Sequence, residues 1–153
     1  MHFMQIVPMD GGGIWRDVAT HFDINRNKTF AYVGGQGTHG NGKTPCLFVV
    51  DLSNLSGDEA HTIDENPALA VNLGETPKFV HTINVDKGLL FLNTANANEG
   101  CRVYDIVADP MNPRFLFKTG GSTGRDCHDS SVVTSVNSRD LLIVSDGSGR
   151  CVV

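Results

Sequence analysis

One short pattern occurs about three times along this chain of 153 residues. In each copy a His or Arg opens an apolar strand, a hairpin turn leads to a second strand, and a third strand follows. The clearest copy comprises FVHTINV (79–85), LLFLNTA (89–95) and CRVYDI (101–106). The preceding copy occupies 14–24, 29–35 and 46–54. The third copy occupies 126–133, 141–147 and 151–153. Repetition at this period is typical of propellers and solenoids, in which neighbouring units bury a shared core.

The local pattern within each copy indicates short strands rather than helices. Apolar residues occur in brief runs bounded by Gly, Asn, Asp and Pro, and turn-prone residues separate the first strand from the second. We therefore predict an all-β fold, a segment of a β-propeller with two full four-stranded blades and most of a third. The expected boundaries are a lead-in at 1–13, blade 1 with a Gly-rich insertion and a second insertion before its fourth strand at 14–74, blade 2 at 75–120, and an incomplete blade 3 at 121–153.

The third copy stops at Val153, inside a strand that is complete in the other copies. A propeller closes only with about four or more blades. We therefore expect the remainder of the ring to lie outside this sequence or to come from another chain. The expected partners are proteins, or further copies in a self-assembly.

Composition narrows the classes of function. Hydrophobic residues make up 40% and charged residues 19%, which is typical of a globular protein. The net charge is −5 and the sequence lacks a basic stripe, which argues against a nucleic-acid partner. We expect no transmembrane segment, because no apolar run approaches the ~20 residues that a membrane helix needs. The first residues do not have the pattern of a signal peptide.

The strand ends and strand openings resemble one known family. LFVVDLSN (47–54) and RVYDIVADPMNP (102–113) are similar to the ends of LVIVD repeats. WRDV (15–18), VHTI (80–83) and CHDS (127–130) resemble the blade openings of the choice-of-anchor B type of these proteins, in the same order. The resemblance implies an exported, cell-surface β-propeller without a general enzymatic activity. We therefore expect a non-catalytic scaffold located outside the cell or on its surface.

The residues that open the three copies are Arg16, His81 and His128. The first strand of a propeller blade is innermost, so these side chains are expected to surround one mouth of the central channel. They are candidates for binding an anion, and the two histidines are candidates for binding a transition metal. A purely structural role in bonding neighbouring blades is the other interpretation. The alternative to a scaffold is a metal-dependent enzyme that uses this His-lined channel.

The aspartates that end the third strands are predicted to have a structural role. Asp51 and Asp105 are each followed by a turn, where a carboxylate accepts hydrogen bonds from main-chain amides. The segments 93–100 and 145–150 are rich in oxygen ligands, so they are candidates for calcium loops, although neither has a defined calcium-loop spacing.

The four cysteines leave two interpretations open, buried thiols or one disulfide in an exported protein. The pair that we favour for a disulfide is Cys101 with Cys127. Asn27 and Asn54 each begin an Asn-x-Thr or Asn-x-Ser sequence in a predicted turn, and both are candidates for glycosylation.

Overall fold

A computed structural model describes residues 13–37, 47–53, 68–70, 80–94, 100–119, 127–134, 140–145 and 151–152. All the regular elements in these residues are β-strands, which form three antiparallel sheets. The prediction of an all-β fold is confirmed. Within the described part of the chain there is no helix long and apolar enough to cross a membrane.

Each sheet is built from consecutive strands. The first sheet has the order β1 (Gly13–Asp23), β2 (Lys28–Gly37), β3 (Leu47–Asp51) and β4 (Ala68–Ala70). The second has the order β5 (Thr82–Asp86), β6 (Leu89–Asn93), β7 (Cys101–Asp105) and β8 (Arg114–Thr119). The third has the order β9 (Asp129–Thr134), β10 (Asp140–Ser145) and β11 (Cys151–Val152). The sheets approach one another through their first strands, β1 against β5 and β5 against β9.

Turn chemistry sets the register of the hairpins. Lys87 and Gly88 join β5 to β6 with φ values of 49° and 75°, the two positive angles of a type I′ turn. A glycine suits the second position because it has no Cβ to oppose a positive φ. In the β1–β2 hairpin, Oδ1 of Asp23 accepts hydrogen bonds from the main-chain N–H groups of Asn25 and Arg26. These bonds fix the turn that returns the chain along the sheet.

The main core lies between the first and second sheets. Its buried members come from both sheets: Phe30, Tyr32, Leu47, Val49, Val80, Ile83, Leu90, Leu92, Tyr104 and Ile106. The two sheets approach most closely at Gly34, where an added Cβ would lie 2.7 Å from side-chain atoms of both Val80 and Ile83. Nearby, the hydroxyl of buried Tyr32 donates to the main-chain oxygen of Pro110 at 3.0 Å. Apolar burial and this polar bond together hold the sheets in one arrangement.

The opposite face of the first sheet remains partly open. Residues alternate between faces along a strand, so Ala19 packs against the main core while Val18 and Phe22 point away from it. Val18 is 59% exposed and Phe22 is 55% exposed. We call the surface formed by Val18, Phe22 and half-buried Val33 the open face of the first sheet.

The Gly-rich segment begins inside strand β2. Strand β2 continues through Gly34, Gly35, Gln36 and Gly37, which pair with the beginning of β1. The remainder of this segment lies outside the described residues. The first strand of the first sheet is thus longer than its counterparts, 11 residues against 5 in β5.

Candidate functional site

The structure places the two strand-opening histidines in equivalent positions. His81 lies directly before β5, and its main-chain N–H donates to the oxygen of Asn93 at the end of β6, 2.7 Å away. His128 lies directly before β9, and its N–H donates to the oxygen of Ser145 at the end of β10, 2.9 Å away. Each histidine is therefore held by the second strand of its own sheet.

Arg16 is held differently, because it lies inside β1 at a β-bulge. Trp15 pairs with Gly35 and Asp17 pairs with Gly34, so that Arg16 has no counterpart on β2. A bulge disrupts the ladder locally and re-aims the side chain of the extra residue. Arg16 is exposed at this irregularity.

His81 interacts with both His128 and Arg16, and we call these three residues the His–Arg cluster. The imidazole rings of His81 and His128 meet edge to face with centroids 4.4 Å apart. Burial, the charge of His128 and the charge of Arg16 lower the pKa of His81, against the opposite effect of Asp17 and Asp129. His81 is therefore predominantly neutral at pH 7, because even its ordinary pKa is near 6.5.

Asp17 connects the first two sheets, and both aspartates beside the cluster accept hydrogen bonds from main-chain N–H groups. Oδ2 of Asp17 accepts a hydrogen bond from the main-chain N–H of Ile83 in the second sheet, at 2.8 Å. Its Oδ1 accepts from the N–H of Val18 at 2.9 Å. Oδ1 of Asp129 accepts from the N–H of Ser130 at 2.8 Å. A main-chain donor thus engages each of the two carboxylates.

A buried polar network joins the second sheet to the third directly behind the histidines. Asn93 is fully buried, and its Nδ2 donates to Oγ1 of Thr82 at 3.0 Å while its Oδ1 accepts from Oγ of Ser130 at 2.9 Å. Oγ1 of Thr82 donates to the main-chain oxygen of His128 at 2.8 Å. Nδ2 of Asn84 donates to the main-chain oxygen of Ser130 at 3.0 Å. The network fixes the position of His128 relative to His81.

A disulfide between Cys101 and Cys127 reinforces the same junction. Their Cα atoms are 5.2 Å apart, and both side chains are buried. Cys101 opens β7 and Cys127 immediately precedes His128, so the bond ties the second sheet to the beginning of the third. Sγ of Cys127 also lies 3.1 Å from Oδ1 of Asn93, next to the polar network.

The aspartates at the ends of the third strands make the contacts of turn residues. Oδ1 of Asp51 accepts from the N–H of Ser53, and Oδ1 of Asp105 accepts from the N–H of Val107, each at 2.9 Å. A hydrogen bond from Arg114 lowers the pKa of Asp105. Burial raises the pKa of Asp51, but hydrogen bonds from Lys28 and Ser53 outweigh it and lower the pKa overall.

The candidate metal and modification sites are only partly covered by the structure. Among the described residues no group of three or more His, Cys, Asp or Glu side chains could hold a metal ion. Of the two candidate calcium segments, 95–99 and 146–150 lie outside the described residues. The Asn93 amide is already engaged in the polar network. Asn27 is exposed in the β1–β2 turn with φ 52°, and Asn54 lies outside the described residues.

Sequence reasoning did not identify Thr82, Asn93 or Ser130 as part of this junction. The sequence makes Asn93 a candidate oxygen ligand, although its position at the end of the apolar run LLFLN is also typical of a buried polar group. The bulge at Arg16 had no visible signal. Comparison of the chain with protein-family models, with curated proteins and with solved structures finds no match.

Proposed function

We propose that this chain is a segment of an exported or cell-surface β-propeller of the LVIVD-repeat, choice-of-anchor B type. In this proposal its role is non-catalytic. It acts as a structural and binding scaffold whose sheets are blades of a larger assembly. The open face of the first sheet is the observation that carries the proposal.

The repeat relates the open face to a face that is covered elsewhere in the molecule. Val18 and Ile83 both lie two residues after the opening residue of their sheet. Ile83 is 8% exposed because it packs in the core shared with the first sheet, whereas Val18 is 59% exposed. This position of the repeat therefore packs against a neighbouring sheet in the second sheet, whereas it is largely exposed in the first sheet. A further sheet of the same repeat, packed on Val18 and Phe22, would bury this apolar surface.

The disulfide supports the proposed location. Disulfides persist in oxidising compartments and are rare in the cytosol of most cells. The bond between Cys101 and Cys127 is buried at a sheet junction, which is the position of a structural crosslink.

The alternative function, a metal-dependent enzyme, relies on His81 and His128 as ligands. Their rings are in contact, but burial, followed by the charges of His128 and Arg16, lowers the pKa of His81. The positive charge of Arg16 also repels a metal cation beside this imidazole. The cluster therefore favours the scaffold over the metal enzyme.

Sedimentation of the purified chain tests the assembly role, with a second copy as the source of the covering sheet. We expect concentration-dependent association that Val18→Asp and Phe22→Asp weaken by roughly tenfold or more, because a charge would be buried at the contact. Val107→Asp is the matched control, since Val107 is 56% exposed but lies in the loop after β7. A wild-type chain that stays monomeric over the whole series, or equal weakening in the control, would contradict the proposal.

A further inference from the structure

We propose that the far side of the third sheet is the docking surface for the open face of a second copy of this chain, so that copies associate head to tail. This inference rests on the proposed scaffold function, and it names the partner of the open face. We call the surface formed by Asp129, Ser131, Val133 and Ile143 the outer face of the third sheet.

Alternation along β9 separates the outer face from the side that contacts the second sheet. Ser130 is buried and its Oγ donates to Oδ1 of Asn93 at 2.9 Å, so Ser130 faces the second sheet. Neighbouring residues of a strand point to opposite faces, which places Asp129 and Ser131 on the other side. Val133 shares that side and is 43% exposed.

The residue after each opening residue contacts the following sheet in both described junctions. Oδ2 of Asp17 accepts a hydrogen bond from the N–H of Ile83 in the second sheet at 2.8 Å. Oγ1 of Thr82 donates to the main-chain oxygen of His128, directly before the third sheet, at 2.8 Å. Asp129 is the corresponding residue of the third sheet, and it is exposed. Its position in the repeat is therefore that of a contact to a further sheet.

The carboxylate of Asp129 is already arranged like that of Asp17. Oδ1 of each aspartate accepts from the N–H of the next residue, at 2.9 Å for Asp17 and 2.8 Å for Asp129. Within the described residues, the hydrogen bonds of the Asp129 side chain involve this same Oδ1. We expect its Oδ2 to accept the N–H of Val18 in the second copy, because Val18 corresponds to Ile83. That N–H donates to its own Asp17, and a second carboxylate can share it in a three-centre bond.

The second strand of each sheet adds an apolar side chain to the face that meets the following sheet. In the first sheet this is Tyr32, which is buried in the core shared with the second sheet. In the second sheet it is Phe91, whose partner on β5 bonds to the third sheet, and Phe91 is 2% exposed. In the third sheet it is Ile143, which pairs with Ser131 and is only half-buried. A sheet packed on the outer face would bury Ile143 and Val133.

A second copy fits because its open face is the counterpart of the outer face. In both described junctions the following sheet contributes the residue two places after its opening residue, Ile83 in the second sheet and Ser130 in the third. Val18 holds this place in the first sheet, where it is 59% exposed. Docking of the open face on the outer face therefore continues a junction that the molecule already forms twice. Because the two faces differ, the contact is head to tail, whereas open face against open face would be symmetric.

Mixing two variants that each lose one face tests the proposal by sedimentation velocity. Val18→Asp blocks the open face, and Val133→Asp blocks the outer face. Either variant alone should associate roughly tenfold or more weakly than the wild type, because the contact would bury a charge. Their equimolar mixture should form pairs, in which the outer face of one variant meets the open face of the other. A symmetric contact through the open face would instead leave Val133→Asp associating like the wild type.

Further variants assign the contact. Asp129→Ala should weaken association by roughly threefold to tenfold, as for the loss of one hydrogen bond. Leu116→Asp is the matched control and should associate like the wild type, because Leu116 is 39% exposed but lies on β8, outside both faces. If circular dichroism shows that Val133→Asp does not fold, Ser131→Arg takes its place. Ser131 is exposed, and a long charged side chain there blocks the same face.

Three results would overturn the proposal: wild-type association of the variants of the outer face, no pairs in the equimolar mixture, or equal weakening by Leu116→Asp. The scaffold proposal survives the first two results as long as Val18→Asp weakens association and Val107→Asp does not. A wild-type chain that stays monomeric would contradict the scaffold proposal itself. Failure of the head-to-tail contact is therefore distinguishable from failure of the scaffold.

Discussion

Removal of the disulfide should destabilise the protein by an amount that follows from its position in the chain. The bond joins Cys101 to Cys127, a sequence separation of 26. In the chain-entropy model a closed loop of this length lowers the entropy of the unfolded chain by about 12 cal/mol/K, which is ~3.5 kcal/mol at 25 °C. Cys101→Ala/Cys127→Ala should lower the free energy of unfolding by about that amount. Both side chains are buried, and alanine introduces no polar group at the junction.

The assay is guanidinium denaturation followed by circular dichroism, with and without a reductant. The oxidised wild type should lose stability on reduction, and the double variant should be insensitive to the reductant. Cys46→Ala/Cys151→Ala is the control that keeps the bond, so it should retain the response. Tryptic digestion without reduction should yield peptides 88–102 and 126–139 linked to each other. A stability change below ~1 kcal/mol, outside the usual range for a native disulfide, or the absence of the linked peptides would refute the reasoning.

Three further predictions concern the main core and acid stability. Gly34→Ala places a methyl group 2.7 Å from the Ile83 side chain and should lower the free energy of unfolding by about 1–3 kcal/mol. Adding Ile83→Val should restore part of the lost stability. Full stability in the single variant would count against this contact. Tyr32→Phe removes the hydroxyl that donates to the main-chain oxygen of Pro110 at 3.0 Å, and it should lower the free energy of unfolding by ~1–2 kcal/mol in a denaturation experiment. An unchanged free energy of unfolding would mean that the bond does not contribute to stability. A guanidinium hydrogen bond lowers the pKa of Asp23, so its contribution to stability is complete above pH ~4 and is lost as the pH falls through the lower folded-state pKa. Asp23→Asn should therefore flatten the stability curve below about pH 4, and an unchanged slope would exclude this role.

The strands could be predicted because local pattern and turn residues agree in each copy of the repeat. The runs LLFLN and CRVYD form strands β6 and β7, and side chains on both faces of these strands are buried. The equivalence of the strand-opening histidines could be predicted for the same reason, because corresponding residues of a repeat occupy corresponding positions in their sheets. Their main-chain bonds to Asn93 and Ser145 are equivalent.

The details of the sheet junctions could not be predicted, because they depend on how one sheet meets the next. The bulge at Arg16 depends on how β1 pairs with β2, and nothing in WRDV reveals that pairing. The amide of Asn93 finds Thr82 and Ser130 only after the second and third sheets are packed together. Hydrogen-bond partners from distant parts of the chain leave no local signal.

The consecutive order of strands within each sheet has a consequence for the path of folding. Every hairpin in the second sheet closes a short loop, so its strands can pair with little loss of chain entropy. The first sheet is also complete in the chain before the residues of the third sheet have been synthesised. A nascent chain leaving the ribosome can therefore fold sheet by sheet, each new sheet forming on the apolar surface presented by the one before it.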